Sequence, residues 1–80
     1  MNIIDIRSIN KFNMGHIPGA IQIDSFNLLF NPDKYLNKNE KYYIYCQSGI
    51  TSKNVVNKLN KIGYNVINID GGYNNYLLRK

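Results

Sequence analysis

Tyr42-Tyr43-Ile44-Tyr45-Cys46-Gln47-Ser48-Gly49-Ile50-Thr51-Ser52 changes character halfway along. Its first four residues are aromatic or β-branched, a composition that favours an extended, pleated backbone. Beyond it the period changes. Val55, Val56, Leu59 and Ile62 share one face of a helix, while Lys53, Asn57, Lys58, Asn60 and Lys61 fill the other. Ser52 or Thr51 is placed to cap this helix, and Gly63 to stop it in the left-handed conformation. Val66, Ile67 and Ile69 then run into Asp70-Gly71-Gly72 as another strand. Strand, helix and strand over residues 42–69 predict a βαβ unit with a right-handed crossover.

Two further apolar runs flank this unit on its N-terminal side. Ile3, Ile4 and Ile6 straddle Asp5, and Ala20, Ile21 and Ile23 follow His16-Ile17-Pro18-Gly19. The first run and the Tyr42 run are nearly continuous, the pattern of strands buried on both faces of a parallel sheet. A weaker helix is expected over residues 73–78, covering the sheet with Tyr76 and Leu77. Residues 10–14 and 26–36 are expected to form no more than short helical turns, the latter broken at Pro32. The expected class is α/β, with a small, mostly parallel four-stranded sheet covered by helices.

Composition sets the bounds. The chain has 80 residues, which gives one domain over residues 1–80 with a thin core. Hydrophobic residues make up 44% and charged residues 19%, a folding composition. The abundance of Asn, Lys and Ile is broken everywhere by structured patterns, and no repeat is visible. No apolar run reaches the ~20 residues that span a bilayer, and Met1 to Arg7 lack the pattern of a secretory signal. The single cysteine excludes an internal disulfide and points to a reducing compartment, most simply the cytoplasm. With one Cys and one His a four-ligand zinc site is excluded, and no cofactor is implied. The net charge of +5 favours anionic partners.

The chemistry concentrates in Cys46, Gln47, Ser48, Gly49, Ile50, Thr51 and Ser52. They leave the C-terminal end of a central strand and enter a helix N-terminus, the end at which open α/β sheets bind ligands. A central Gly lets successive N–H groups face one concavity, which makes an anion site. The same setting lowers a cysteine pKa and creates a nucleophilic thiolate. The bland reading is a free cysteine that is a small buried hydrophobe.

The other polar residues have plainer readings. His16, the only histidine, is expected to stabilise a turn. Asp5 and Arg7 are expected to form an ion pair or to bond a neighbouring loop. Gly71-Gly72 is expected to form a turn near the same end of the sheet. Tyr42, Tyr43 and Tyr45 alternate faces of one strand and favour packing over base stacking. The lysines are spread singly, so nucleic acid is not an expected partner.

Two motifs resemble the rhodanese (thiosulfate sulfurtransferase) superfamily. One is Ile4-Asp5-Ile6-Arg7, then Phe12, then Gly15-His16-Ile17-Pro18-Gly19-Ala20. The other is Tyr45-Cys46-Gln47-Ser48-Gly49, followed by Gly63-Tyr64, Val66 and Asp70-Gly71-Gly72-Tyr73. The resemblance implies that Cys46 is the sulfur-carrying nucleophile and that residues 47–52 cradle the substrate anion. It implies transfer of sulfane sulfur from thiosulfate or a persulfide donor to a thiol or cyanide, through a Cys46 persulfide. The implied partners are small sulfur anions and thiol acceptors, with neither nucleic acid nor membrane.

Two departures qualify the resemblance. The family's commonest loop, Cys-x-x-Gly-x-Arg, has Thr51 in place of arginine here. A guanidinium there would contribute a charge-assisted hydrogen bond of about 1.5–3 kcal/mol. Lys53, nearby in sequence, is a partial substitute. A phosphatase of related fold needs Cys-x5-Arg, and Ser52 stands at that arginine position. The family's usual first strand and helix would precede Met1, so an open sheet edge is expected, and with it either a marginal monomer or a homodimer through that edge. The alternative function is a non-catalytic rhodanese-like module that binds a protein partner or senses thiol state.

Overall fold

The computed structural model describes residues 1–80. Four strands, β1 (Asn2–Asp5), β2 (Ala20–Gln22), β3 (Lys41–Tyr45) and β4 (Asn65–Asn68), form one sheet in the order β2-β1-β3-β4. Every pairing is parallel, with Ile4 opposite Ile21 on one side and Ile44 on the other, and Tyr42 opposite Val66. The two nearly continuous apolar runs are therefore the two central strands, as their pattern required. Ile4, Asp5, Ile6, Ile44 and Tyr45 are all buried. Burial on both faces removes the polar alternation that a half-exposed strand shows.

Helix α1 (Ile9–Met14) follows β1, and α2 (Ser25–Phe30) follows β2. These segments, expected to form no more than short helical turns, each close into a helix of six residues. The difference lies in their caps. Ser8 Oγ accepts from Lys11 N–H, and Asp24 accepts from Phe26 N–H. Pro32 ends the second segment, opening a separate 3-10 turn over Pro32–Lys34.

Helix α3 (Ile50–Lys61) joins β3 to β4. Its Val55, Val56 and Leu59 pack into a core with Ile4, Ile44 and Val66, while the lysine face stays in solvent. Gly63 takes φ +98° beyond its end, the left-handed stop expected. Helix α4 (Gly72–Leu78) closes the chain. It covers the sheet less fully than its pattern suggested: Tyr76 is half-buried, but Leu77 is 45% exposed. No helix is long and apolar enough to cross a membrane.

Candidate active site

Cys46 stands one residue beyond β3, where the chain turns into α3. The cap of α3 differs from the sequence expectation. Neither Thr51 nor Ser52 caps it; the cap position is Gly49 at φ +88°, with no side-chain oxygen involved. The orphan donors of the first turn go to sulfur instead. Cys46 Sγ accepts from Gly49 N–H at 3.1 Å and from Ser52 N–H at 3.3 Å. A sulfur placed there meets the positive end of a three-turn helix, which favours its anionic form. Burial pushes the Cys46 thiol up, but hydrogen bonding from Ser52 and from the Gly49 and Ser48 N–H groups prevails and leaves it below its ordinary value.

The Ser52 hydroxyl has a second partner. Its Oγ lies 2.6 Å from Asn68 Oδ1. Asn68 Nδ2 donates to Gly49 O and to Asp70 Oδ1, two groups that only accept, and this turns its oxygen toward Ser52. One hydroxyl proton cannot serve Asn68 and sulfur together. The lasting donors to sulfur are therefore the two backbone N–H groups, and the hydroxyl ties the loop to β4.

The loop is also held from its other side. Cys46 O accepts from Tyr73 N–H at 2.9 Å, and Gln47 O from Asn74 N–H at 3.0 Å. Gly72 makes this approach possible. A Cβ there would overlap Cys46 O and lie 2.8 Å from both Gln47 O and Gly49 N. The Gly71-Gly72 turn expected near this end of the sheet is thus a clamp on the cysteine loop.

Beneath the loop lies a buried ionic network. Arg7 and Asp5 form the only salt bridge in the chain, at 2.7 Å, with side chains 5% and 0% exposed. The Arg7 guanidinium also donates to Gln47 Oε1 at 3.0 Å and to Gly15 O at 2.7 Å. Tyr45 O–H donates to Asp5 Oδ2 and accepts from Ile17 N–H. Burial and the Asp5 carboxylate hold the Tyr45 phenol far above its ordinary value, so it stays a donor. The ion pair and a bond to a neighbouring loop were both expected; the structure shows one guanidinium doing both, and joining the turn at Gly15 to the cysteine loop at Gln47.

A pocket of about 280 Å³ opens at this point, lined by Ile6, Arg7, Ser8, Lys11, Cys46, Gln47, Ser48 and Thr51. Of the residues singled out from sequence, Cys46, Gln47, Ser48 and Thr51 line it, and Gly49 and Ser52 reach the sulfur through their N–H groups. Ile50 does not line it and is 71% exposed. Lys53 is exposed and absent from the lining as well. Ser8 and Lys11 were not foreseen. They follow β1, whose C-terminal end lies beside that of β3 only because the pair is parallel. His16 is exposed, stacks on Phe12 with ring centroids 3.7 Å apart and contacts Phe12 O, a turn-stabilising role.

A family model described as a rhodanese-like domain matches residues 1–79. The thiosulfate sulfurtransferase GlpE of Shewanella oneidensis is 34% identical over 74 residues, which are 91% of this chain and 72% of that protein. A Bacillus subtilis protein provisionally named sulfur carrier protein YrkF is 34% identical over 73 residues. The match takes in 90% of this chain and 39% of that longer protein. The crystal structure of a rhodanese-like domain protein from Staphylococcus aureus is 37% identical with a TM-score of 0.81, over 91% of this chain and 71% of that one. With the cysteine loop, the buried Asp-x-Arg pair and the closing Gly-Gly in place, and the family matched over nearly all of its length, this chain belongs to the rhodanese-like family.

Proposed function

We propose that this chain is a sulfurtransferase and persulfide carrier whose reacting atom is Cys46 Sγ. The observation that carries the reading is the sulfur in its pocket, fed by two N–H donors at a helix N-terminus. Relatives named for sulfur transfer and sulfur carriage support it. The Cys46 thiolate attacks the outer sulfur of thiosulfate, a new S–S bond forms, and sulfite leaves with the electron pair of the old one. An acceptor thiolate or cyanide then attacks the outer sulfur of the Cys46 persulfide. Cys46 departs as the thiolate from which it began, and no external oxidant or reductant is needed. The N–H groups that hold the thiolate face the region where negative charge persists through both steps.

Intact mass spectrometry tests this. Incubation with thiosulfate or a polysulfide is expected to add one sulfur atom, and Cys46→Ser to abolish the gain. No gain with either donor overturns transfer. That outcome selects the second reading, a thiol-sensing or partner-binding module, which the uncharged Thr51 at the loop's arginine position favours.

A further inference from the structure

Two cationic side chains line the pocket at Cys46, and only one of them is free. Arg7 has every nitrogen engaged. Nε contacts both Asp5 oxygens, Nη2 donates to Asp5 and Gly15 O, and Nη1 donates to Gln47 Oε1. Its charge is offset by a buried carboxylate at 2.7 Å, so it holds the fold and has little left for a ligand. Lys11 differs on each count. Its ammonium has no hydrogen-bond or ion-pair partner in the chain, although its backbone N–H contributes to the cap of α1. It lines the Cys46 pocket and also an adjoining cleft of about 500 Å³, formed with Arg7, Met14, Gly15, Gln47, Tyr73 and Leu77. No Asp or Glu lines either cavity. At the loop position itself Thr51 offers a hydroxyl and no charge.

We infer that Lys11, reaching in from α1, is the specificity-determining cation of this site: it seats the negative group of an anionic sulfur donor over Cys46 Sγ. The inference rests on the proposed role of Cys46 and deepens it by assigning the substrate's charge to a residue outside the cysteine loop. A lysine ammonium is a mobile point charge and lacks the fork of a guanidinium, so it selects for charge more than for the shape of a sulfonate. The adjoining cleft, with Met14, Tyr73 and Leu77 on its wall, leaves room beside that charge for an apolar substituent.

Alkylation of Cys46 measures this without requiring sulfur transfer. The thiolate displaces iodide from iodoacetate, an anion, or from iodoacetamide, its neutral analogue. The ratio of the two rate constants cancels the thiolate fraction and reports the local field alone. Lys11→Met is expected to lower the iodoacetate-to-iodoacetamide ratio about fivefold at low ionic strength, and less at high salt. Lys11→Arg should stay within about twofold of the parent, since it restores the charge. Lys53→Met should leave the ratio unchanged. An unaltered ratio in Lys11→Met, or an equal fall in Lys53→Met, overturns the inference. If the parent protein takes no sulfur from thiosulfate or polysulfide, the transfer reading fails, and the alkylation ratio still decides whether Lys11 governs the charge seen by Cys46.

Discussion

Asp5→Ala is the most demanding test of the ionic network under the loop. The Asp5 carboxylate accepts five contacts: Arg7 N–H at 2.8 Å, Arg7 Nε at 3.1 Å to each oxygen, Arg7 Nη2 at 2.7 Å and Tyr45 O–H at 2.7 Å. It is fully buried, and Arg7 is only 7% exposed. Truncation leaves a guanidinium in the interior without its counter-ion and a phenol without its acceptor. Removing one partner of a buried pair costs about 3–5 kcal/mol, because the surviving charge loses its counter-ion; the contacts of Arg7 to Gln47 and Gly15 and its place on the pocket wall set the lower end of that range here. A domain of this length has about 4–12 kcal/mol in total, at roughly 0.05–0.15 kcal/mol per residue. Urea unfolding followed by circular dichroism should show the midpoint falling by about 3–5 M, with about 3 M for the lower end of that range, for a slope near 1 kcal/mol per M. The double variant Asp5→Leu/Arg7→Met should be more stable than Asp5→Ala, because a buried pair exchanged whole for apolar groups is often tolerated. It should nonetheless loosen the cysteine loop, having lost the contacts to Gln47 and Gly15. A loss below about 1 kcal/mol in Asp5→Ala, or a double variant less stable than the single, would mean that Asp5 does not offset a buried charge on Arg7.

Three further outcomes are expected. The rate of Cys46 alkylation by iodoacetamide should rise with pH as thiolate forms, with a midpoint below that of an ordinary thiol, about 8.5, because the fold lowers this pKa. Ser52→Ala should keep its midpoint below that value, since both backbone donors remain; a return to about 8.5 would place the effect in the hydroxyl instead. Gly72→Ala should cost more than about 2 kcal/mol in thermal or urea unfolding, because φ is +58° and the added carbon overlaps Cys46 O. An alanine tolerated there without loss would mean that α4 does not hold the loop.

The elements that sequence disclosed were those with local causes. The period of Val55, Val56 and Leu59, the left-handed glycine at 63 and the double burial of the Ile4 and Ile44 strands are written in neighbouring residues. The cysteine loop was legible for the same reason: strand end, glycine and helix start lie within a few positions of one another. What stayed hidden depends on register. Tyr45 meets Asp5 because β1 and β3 pair those two residues directly, a choice made by the sheet as a whole. Lys11 and Cys46 are far apart in sequence and share a pocket only because both strands end on the same side. The cap of α3 was misassigned for a chemical reason. Thr51 and Ser52 have the usual capping side chains, but the left-handed Gly49 starts the helix ahead of them, which puts the Ser52 N–H in the first turn, where the Cys46 sulfur takes it.

The contacts between α4 and the loop carry a consequence for how the site responds to charge. In the loop, the carbonyls of Cys46 and Gln47 accept from Tyr73 and Asn74, while the amides of Gly49 and Ser52 point toward sulfur. These peptide dipoles are aligned before any anion arrives. In bulk water, solvating a new negative charge requires dipoles to turn, and that reorientation is much of the barrier to moving charge. Here the turning is completed when the protein folds, and the last helix of the chain keeps those dipoles from relaxing back.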